Sequence, residues 1–472
     1  MGFCSVSQPV PARGGGHRFC ANRPINRRRR PAGFRSAISR PPFMKTLRST
    51  SLLLVVLGLA ATCASPAADW PAYRGPRGDG ISPEAIPATW PADGPKRLWR
   101  AETPAGFSSF AVAGDKAFTV VTRSKDGVPM ETCVALDARS GRELWATFTG
   151  RAEYPGGGDT GAPDNRGGDG PRSTPTVDGN RVYVYSSALV LHCLDAATGK
   201  SLWQHDIMAE YAGRNISWKS GLSALVDGDL VFVAGGGPGQ SMLAFDKTTG
   251  ALVWKAGDEK MTHATPLATT LHGMRQVLFL MQSGLVAVNP RTGDVLWRFA
   301  FPFRVATACL PVVAGNVVFL TAGYEVGGAA AEIVKNGDAF EARPLWRVKG
   351  DAVAASLWSP PVHHDGHLYG MISFKQFGKG PLKCLDLKTG TLKWQEPGFG
   401  SGNVILANGR LVALTDAGQV VLVNPTPTGY RELARFKAVT GKCWSTPALA
   451  NGRLYVRSTK EGACFDLTAS RP

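Results

Sequence analysis

Charge is scarce in this sequence, at 19% of its 472 residues, and so are the long apolar runs that a membrane-spanning helix needs. The apolar stretch at residues 52–61 would span about 15 Å as a helix, against about 30 Å for a bilayer core, so no transmembrane span is expected. Acidic residues are absent from residues 1–68, which hold eleven Lys or Arg. Setting that stretch aside lowers the formal charge from +17 to +6, with 42 basic residues against 36 acidic ones, and gives no ground for a nucleic-acid partner. Six cysteines follow it, at 133, 193, 309, 384, 443 and 464. None is adjacent to another and no CxxC or metal-ligand spacing occurs, so they read as small buried hydrophobes. No metal site is expected. What the chain does have is 56 Gly, 33 Pro, twelve Trp and 44% hydrophobic residues, the composition of a globular protein built from many short strands and turns.

The N-terminus reads as an address. Residues 1–43 are rich in Arg, Pro and Gly, with the run Arg27 to Arg30, and carry no apolar periodicity. They are a disordered basic leader or sequence upstream of a misassigned start. Residues 44–68 have the layout of a secretory signal peptide: Lys45 and Arg48, then an apolar segment, then small residues. This predicts a periplasmic or secreted protein. Thr62 before Cys63 fits a lipidation box poorly, which disfavours a lipid anchor there. Residues 69–95 form a lead-in to the repeating body at 96–472.

That body repeats one phrase. Leu136-Asp137, Gly141 and Trp145 return as Leu194-Asp195, Gly199 and Trp203, as Phe245-Asp246, Gly250 and Trp254, as Val288-Asn289, Gly293 and Trp297, and as Leu385-Asp386, Gly390 and Trp394. Asp or Asn starts a turn by bonding its own backbone, Gly takes the positive-φ position, and Trp opens the next strand. An alternating apolar strand precedes each turn, giving four strands per unit. Trp markers at 99, 145, 203, 254, 297, 346 and 394, with Phe436 in the eighth place, define units of propeller-blade length. After Phe436 the chain supplies one more unit without its Trp strand, while residues 96–100 are a Trp strand without a unit. The sequence thus predicts an all-β, eight-bladed β-propeller of four-stranded antiparallel blades, closed by an N-terminal strand that completes the last blade.

Aligning the blades brings one residue of each to the entry of the innermost strand: Phe107, Arg172, Gly221, His263, Ala308, Trp358, Ser401 and Trp444. These should surround an axial funnel. Trp offers a stacking face, Arg a fork for carboxylate, and His a hydrogen bond or a general base. The bulky side chains would plug the channel or form a ligand platform. His192 reads as a hydrogen-bonded structural histidine. The glycines between Arg151 and Pro171 lack the strand-loop-helix setting of a phosphate cradle and read as a loop over one face.

The Asp-x-x-Thr-Gly-x-x-x-Trp phrase at Asp195, Asp246 and Asp386 resembles the tryptophan-docking repeat of the pyrroloquinoline-quinone-like eight-bladed propellers, over about residues 96–467. The lead-in from Asp69 to Gly80 resembles the start of secreted bacterial members. The resemblance implies one of two branches: quinoprotein dehydrogenases, which use bound quinone and calcium on alcohols or sugars, or cofactor-free scaffolds such as the propeller lipoprotein of the outer-membrane β-barrel assembly machinery. The adjacent cysteines against which the alcohol dehydrogenases stack their quinone do not occur in this sequence, and neither the calcium ligands nor the catalytic Asp of that branch can be matched. Two readings follow. The first is a monomeric binding or assembly module without a cofactor, with a protein partner or small ligand at the funnel. The second is a pyrroloquinoline quinone- and Ca2+-dependent oxidoreductase with an atypical site around Arg172, His263, Trp358 and Trp444.

Overall fold

The computed structural model describes residues 68–154, 170–305, 307–373 and 376–468. The leader, nearly all of the signal segment, Cys63 and the centre of the glycine-rich loop lie outside these residues.

Eight antiparallel sheets follow one another along the chain. Blades 1 to 6 occupy residues 111–151, 176–206, 225–256, 267–300, 312–348 and 362–396; blade 7 is 403–437 and blade 8 is 448–466. The first strand of each is innermost, and neighbouring first strands touch around the axis. Among the described residues the only α-helix is the single turn Ile207–Glu210. Blade 8 has three strands of its own and takes its fourth from Arg97–Glu102, which runs antiparallel to Glu461–Asp466 with Trp99 opposite Cys464. The closing strand expected at 96–100 is therefore in place. All six cysteines are buried and unpaired.

The repeated phrase performs two jobs. In the four Asp turns the carboxylate accepts backbone N–H groups two and three residues on, as Asp195 does from Ala197 at 3.1 Å and Thr198 at 2.8 Å, whereas Asn289 accepts from Arg291 N at 2.9 Å. The turn's Gly then lies against the Trp of the preceding blade. A Cβ on Gly141 would come within 2.7 Å of the Trp99 ring, and one on Gly250 within 2.8 Å of Trp203. Positive φ, +72° at Gly141, already favours glycine, and the neighbouring indole requires it. Indole N–H groups complete the joint: Trp99 donates to Ala138 O, Trp145 to Ala196 O and Trp346 to Leu387 O, at 3.1, 3.1 and 2.8 Å. Trp297 departs from this scheme and donates within its own blade to Gln276 Oε1 at 2.7 Å.

Arg457, at the end of the middle strand Arg453–Arg457 of blade 8, is 1% exposed and reaches into blade 1. It donates to Thr119 Oγ1, Val120 O, Thr103 O and Ala105 O at 2.6 to 3.1 Å. No described carboxylate pairs with it. Burial lowers its pKa to about 9, so the guanidinium stays charged at neutral pH and welds the seam through carbonyl dipoles.

The lead-in crosses the axis. Trp70 exchanges two backbone hydrogen bonds of 2.8 Å with Val112 of blade 1, and Pro71 O accepts from Val177 N of blade 2 at 2.7 Å. Arg74, 1% exposed, donates to Pro361 O of blade 6 at 3.0 Å and to Val404 O of blade 7 at 3.3 Å. Ile81–Ser82 then pairs in parallel with Leu406 and Ala407 as a fifth strand of blade 7. Glu84 accepts the backbone N–H groups of Asn451 and Gly452 in blade 8, both at 2.6 Å. The lead-in thus crosses the channel and covers part of it.

Candidate functional site

Seven of the eight expected mouth residues stand four positions ahead of an inner strand, as Phe107 precedes Ala111–Ala113 and Trp444 precedes Ala448–Ala450. A common offset from strands arrayed about one axis brings side chains from distant parts of the chain together. Phe107, Arg172, Gly221, His263, Ala308, Trp358 and Trp444 all line one cavity of about 170 Å³. Ser401 is not among its lining; its carbonyl accepts the Trp358 indole N–H at 2.9 Å, and the side chain takes no part. Residues outside the alignment complete the wall: Tyr73, Trp218, Ser223, Tyr324, Leu357 and Phe377.

One side of this cup is a stack of rings. Trp444 lies 4.4 Å from Trp358 at 25°, 4.7 Å from Phe107 at 27° and 5.3 Å from Phe377 at 15°. Lys442 Nζ sits 4.8 Å from the centroid of Trp444, in cation–π range. Phe377 belongs to a loop held from below: Asp416 Oδ2 accepts Gly378 N at 2.8 Å and Ser401 N at 3.0 Å. The indole Nε1 of Trp444 is buried and has no hydrogen-bond partner among the described residues.

The opposite side is polar. His263 Nδ1 accepts the Gly221 N–H at 3.2 Å, which leaves the proton of a neutral ring on Nε2. Burial, then the Arg172 guanidinium, lower its pKa to about 3, so the ring is a neutral donor. No described carboxylate bonds to it, and a general-base role has no support. Arg172 donates to Trp218 O at 2.6 Å and lies over the Tyr154 ring at 5.2 Å. Behind it the Glu131 carboxyl is buried, takes the Tyr154 hydroxyl and the Ser187 N–H, and is pushed above the usual carboxylate range by burial. His192 is a core residue: it donates from Nε2 to Thr149 O at 2.8 Å and burial lowers its pKa.

Below the mouth runs a feature that sequence reading missed. Thr446 N donates to Ser109 Oγ, Ser109 N to Thr174 Oγ1, Thr174 N to Ser223 Oγ and Ser223 N to Thr265 Oγ1, at 2.8 to 3.0 Å. Five blades are therefore belted by hydroxyls two residues after the mouth positions. Leu310 and Pro360 interrupt the series. Tyr73 of the lead-in closes the cup, its pKa pushed up to about 12 by burial.

The sequence model of a family described as outer membrane protein assembly factor BamB matches residues 129–396, more than half of the chain. The chain belongs to this family. Curated BamB proteins of Moranella endobia and Yersinia pestis are 24% and 23% identical to it, over 53% and 60% of this chain and 63% and 70% of their own. The quinoprotein alcohol dehydrogenase PedH of Pseudomonas putida is 26% identical over 39% of this chain, a match that spans only 30% of PedH. The crystal structure of BamB from Moraxella catarrhalis superposes with a TM-score of 0.52 at 18% identity, covering 79% of this chain and 99% of that one. Quinohemoprotein alcohol dehydrogenase from Comamonas testosteroni gives 0.59 at 14% identity, covering 87% and 82%. At these identities the structural likeness shows the fold.

Calcium with pyrroloquinoline quinone requires hard oxygen ligands, usually carboxylates. The described lining of the cup contains no Asp or Glu. No group of three His, Cys, Asp or Glu that could hold a metal occurs among the described residues. Trp358 and Trp444 would supply stacking faces for a quinone, but Trp444 is already covered by Phe107, Trp358 and Phe377. The described residues do not fit the calcium-dependent group.

Proposed function

We propose that this protein is a non-catalytic binding or assembly module of the periplasm or exterior, which captures a ring-bearing group of a partner or a small ligand in its axial cup. The observation that carries this reading is the composition of the cup. Stacked aromatic rings face a neutral histidine and an arginine already engaged with a carbonyl, with no carboxylate to serve as acid, base or metal ligand in the described lining. The names of the BamB relatives support a place in the cell envelope, as does the signal-like segment at 44–68. No described helix is long and apolar enough to cross a membrane.

Titration of the purified protein with pyrroloquinoline quinone, with and without calcium, tests the reading. Neither a change in cofactor absorbance nor dye-linked alcohol oxidation is expected. Stoichiometric binding with turnover overturns the proposal in favour of a quinoprotein oxidoreductase. A parallel screen of aromatic amino acids, dipeptides and monosaccharides by tryptophan fluorescence should yield ligands whose binding is lost in Trp358→Ala. Ligands that bind Trp358→Ala as well as the parent protein place recognition outside the cup.

A further inference from the structure

At the other end of the channel the lead-in satisfies the axis-facing edges of some blades and leaves others open. In each inner strand the residue one before the last faces its hairpin partner in a non-hydrogen-bonded pair, so its N–H and C=O both point to the axis. Val112 shows the consequence, bonding Trp70 through both groups, and Val177 and Leu406 donate to Pro71 O and Gly80 O at 2.7 and 2.9 Å. The equivalent residues of blades 3, 4 and 5 are Val226, Thr270 and Val313, opposite Val231, Arg275 and Val318. No described residue bonds their axis-facing groups.

Exposure follows the same division. Val112 and Val177 are buried beneath the lead-in, whereas Val226 and Val313 are half-buried and Thr270 is exposed. All three open positions line a second cavity, of about 360 Å³, walled on its other side by lead-in residues 72–79. Its charged rim is paired, Arg77 with Asp79 and Arg275 with Asp227, so nothing there selects an ion. Trp70 and Pro71, adjacent in sequence, serve adjacent blades, which shows that a short extended segment can step from one edge to the next.

We propose that this end of the channel is a main-chain docking site: an extended segment of a partner protein, with small uncharged side chains, bonds Val226, Thr270 and Val313 backbone to backbone and continues the arc that the lead-in begins. The site is separated from the aromatic cup by Tyr73, which lines both cavities, and stands or falls independently of it.

The test is selection of a random-peptide display library on the full-length protein, followed by amide hydrogen exchange with the enriched peptides. Enriched peptides should slow exchange at Val226, Thr270 and Val313 by about tenfold or more. Methylating the peptides' backbone nitrogens should abolish binding to the unaltered protein. Thr269→Trp, which fills the cavity, should abolish it without lowering the melting temperature. Failure to enrich any peptide, binding that survives N-methylation, or protection confined to the cup overturns the proposal.

Discussion

Gly94 packs against the ring of Phe436, as Gly141 packs against that of Trp99. The turn that should seat Phe436 belongs to blade 8, where the chain is interrupted. Asp466 supplies its first half, accepting Thr468 N at 2.8 Å, and the lead-in supplies the glycine, with Gly94 N bonded to Pro91 O at 2.9 Å. Trp90 adds an edge contact to Phe436 with centroids 5.6 Å apart. One turn of the ring is thus assembled from both ends of the body.

Gly94→Ala is therefore expected to destabilise the whole ring. Its φ of +87° and the blocked Cβ position act together, and a loss of about 2 kcal/mol is expected from the urea midpoint. Gly114→Ala is the control. Gly114 also has positive φ, +58°, but open space around a Cβ, and should lose only about 1 kcal/mol. Equal losses would show that the Phe436 contact contributes nothing.

The blade count, the closing strand and most of the cup were legible because each rests on a fixed period. Trp358 and Trp444 are far apart in the chain, yet the shared offset from inner strands is enough to bring them together. The second role of Gly141 was not legible, since its partner Trp99 lies one blade away and turn chemistry alone already explains a glycine. Trp218 and Phe377 lie in loops outside the repeat. Arg74 and Arg457 bond carbonyls, which carry no side-chain signature, and the lead-in has no periodicity that would place it on the axis. Ser401 stands two rather than four positions ahead of its inner strand and contributes its backbone carbonyl, a distinction invisible in residue type.

Replacing Arg457 by Met removes the donor set at the seam between blades 8 and 1. It leaves Val120 O, Thr103 O and Ala105 O buried without that partner, and should cost about 3 kcal/mol. Calorimetry should show one cooperative transition at lower temperature, because the ring opens as a unit. Unchanged melting would mean that water replaces the guanidinium at no cost.

Asp416→Ala should release the loop that carries Phe377. With Gly378 N and Ser401 N no longer bound to Oδ2, the stack of Phe377, Trp358 and Trp444 should loosen, weakening the near-ultraviolet circular dichroism. Asp416→Asn, which keeps one acceptor oxygen, should restore most of the signal. Stability should fall by about 1–2 kcal/mol in the alanine variant. A signal identical to that of the parent would show that the loop is held by other contacts.

His263 gives the protein an acid sensitivity of known sign. Its folded pKa, lowered to about 3, lies below the ordinary value of 6.5, so between those limits the unfolded chain binds more protons than the folded one. Stability should be fully present above pH 6.5 and fall as the pH is lowered towards 3. His192, also lowered by burial, adds in the same direction. His263→Asn, which keeps an acceptor for Gly221 N, should flatten the slope of urea midpoint against pH. A steeper slope in the variant would contradict the assignment.

Closure by Arg97–Glu102 on Glu461–Asp466 also has a bearing on biogenesis. The Arg97–Glu102 strand is made early and waits for Glu461–Asp466, across a separation of more than 350 residues, so nearly the whole propeller has to be synthesised before either edge finds its mate. Until then two adhesive β edges flank an incomplete toroid, and crossed pairing between molecules competes with self-sealing. Dilution, or a holdase that masks one edge, should raise the yield of correctly sealed protein, and linked dimers should be the product when encounters between open molecules outpace closure.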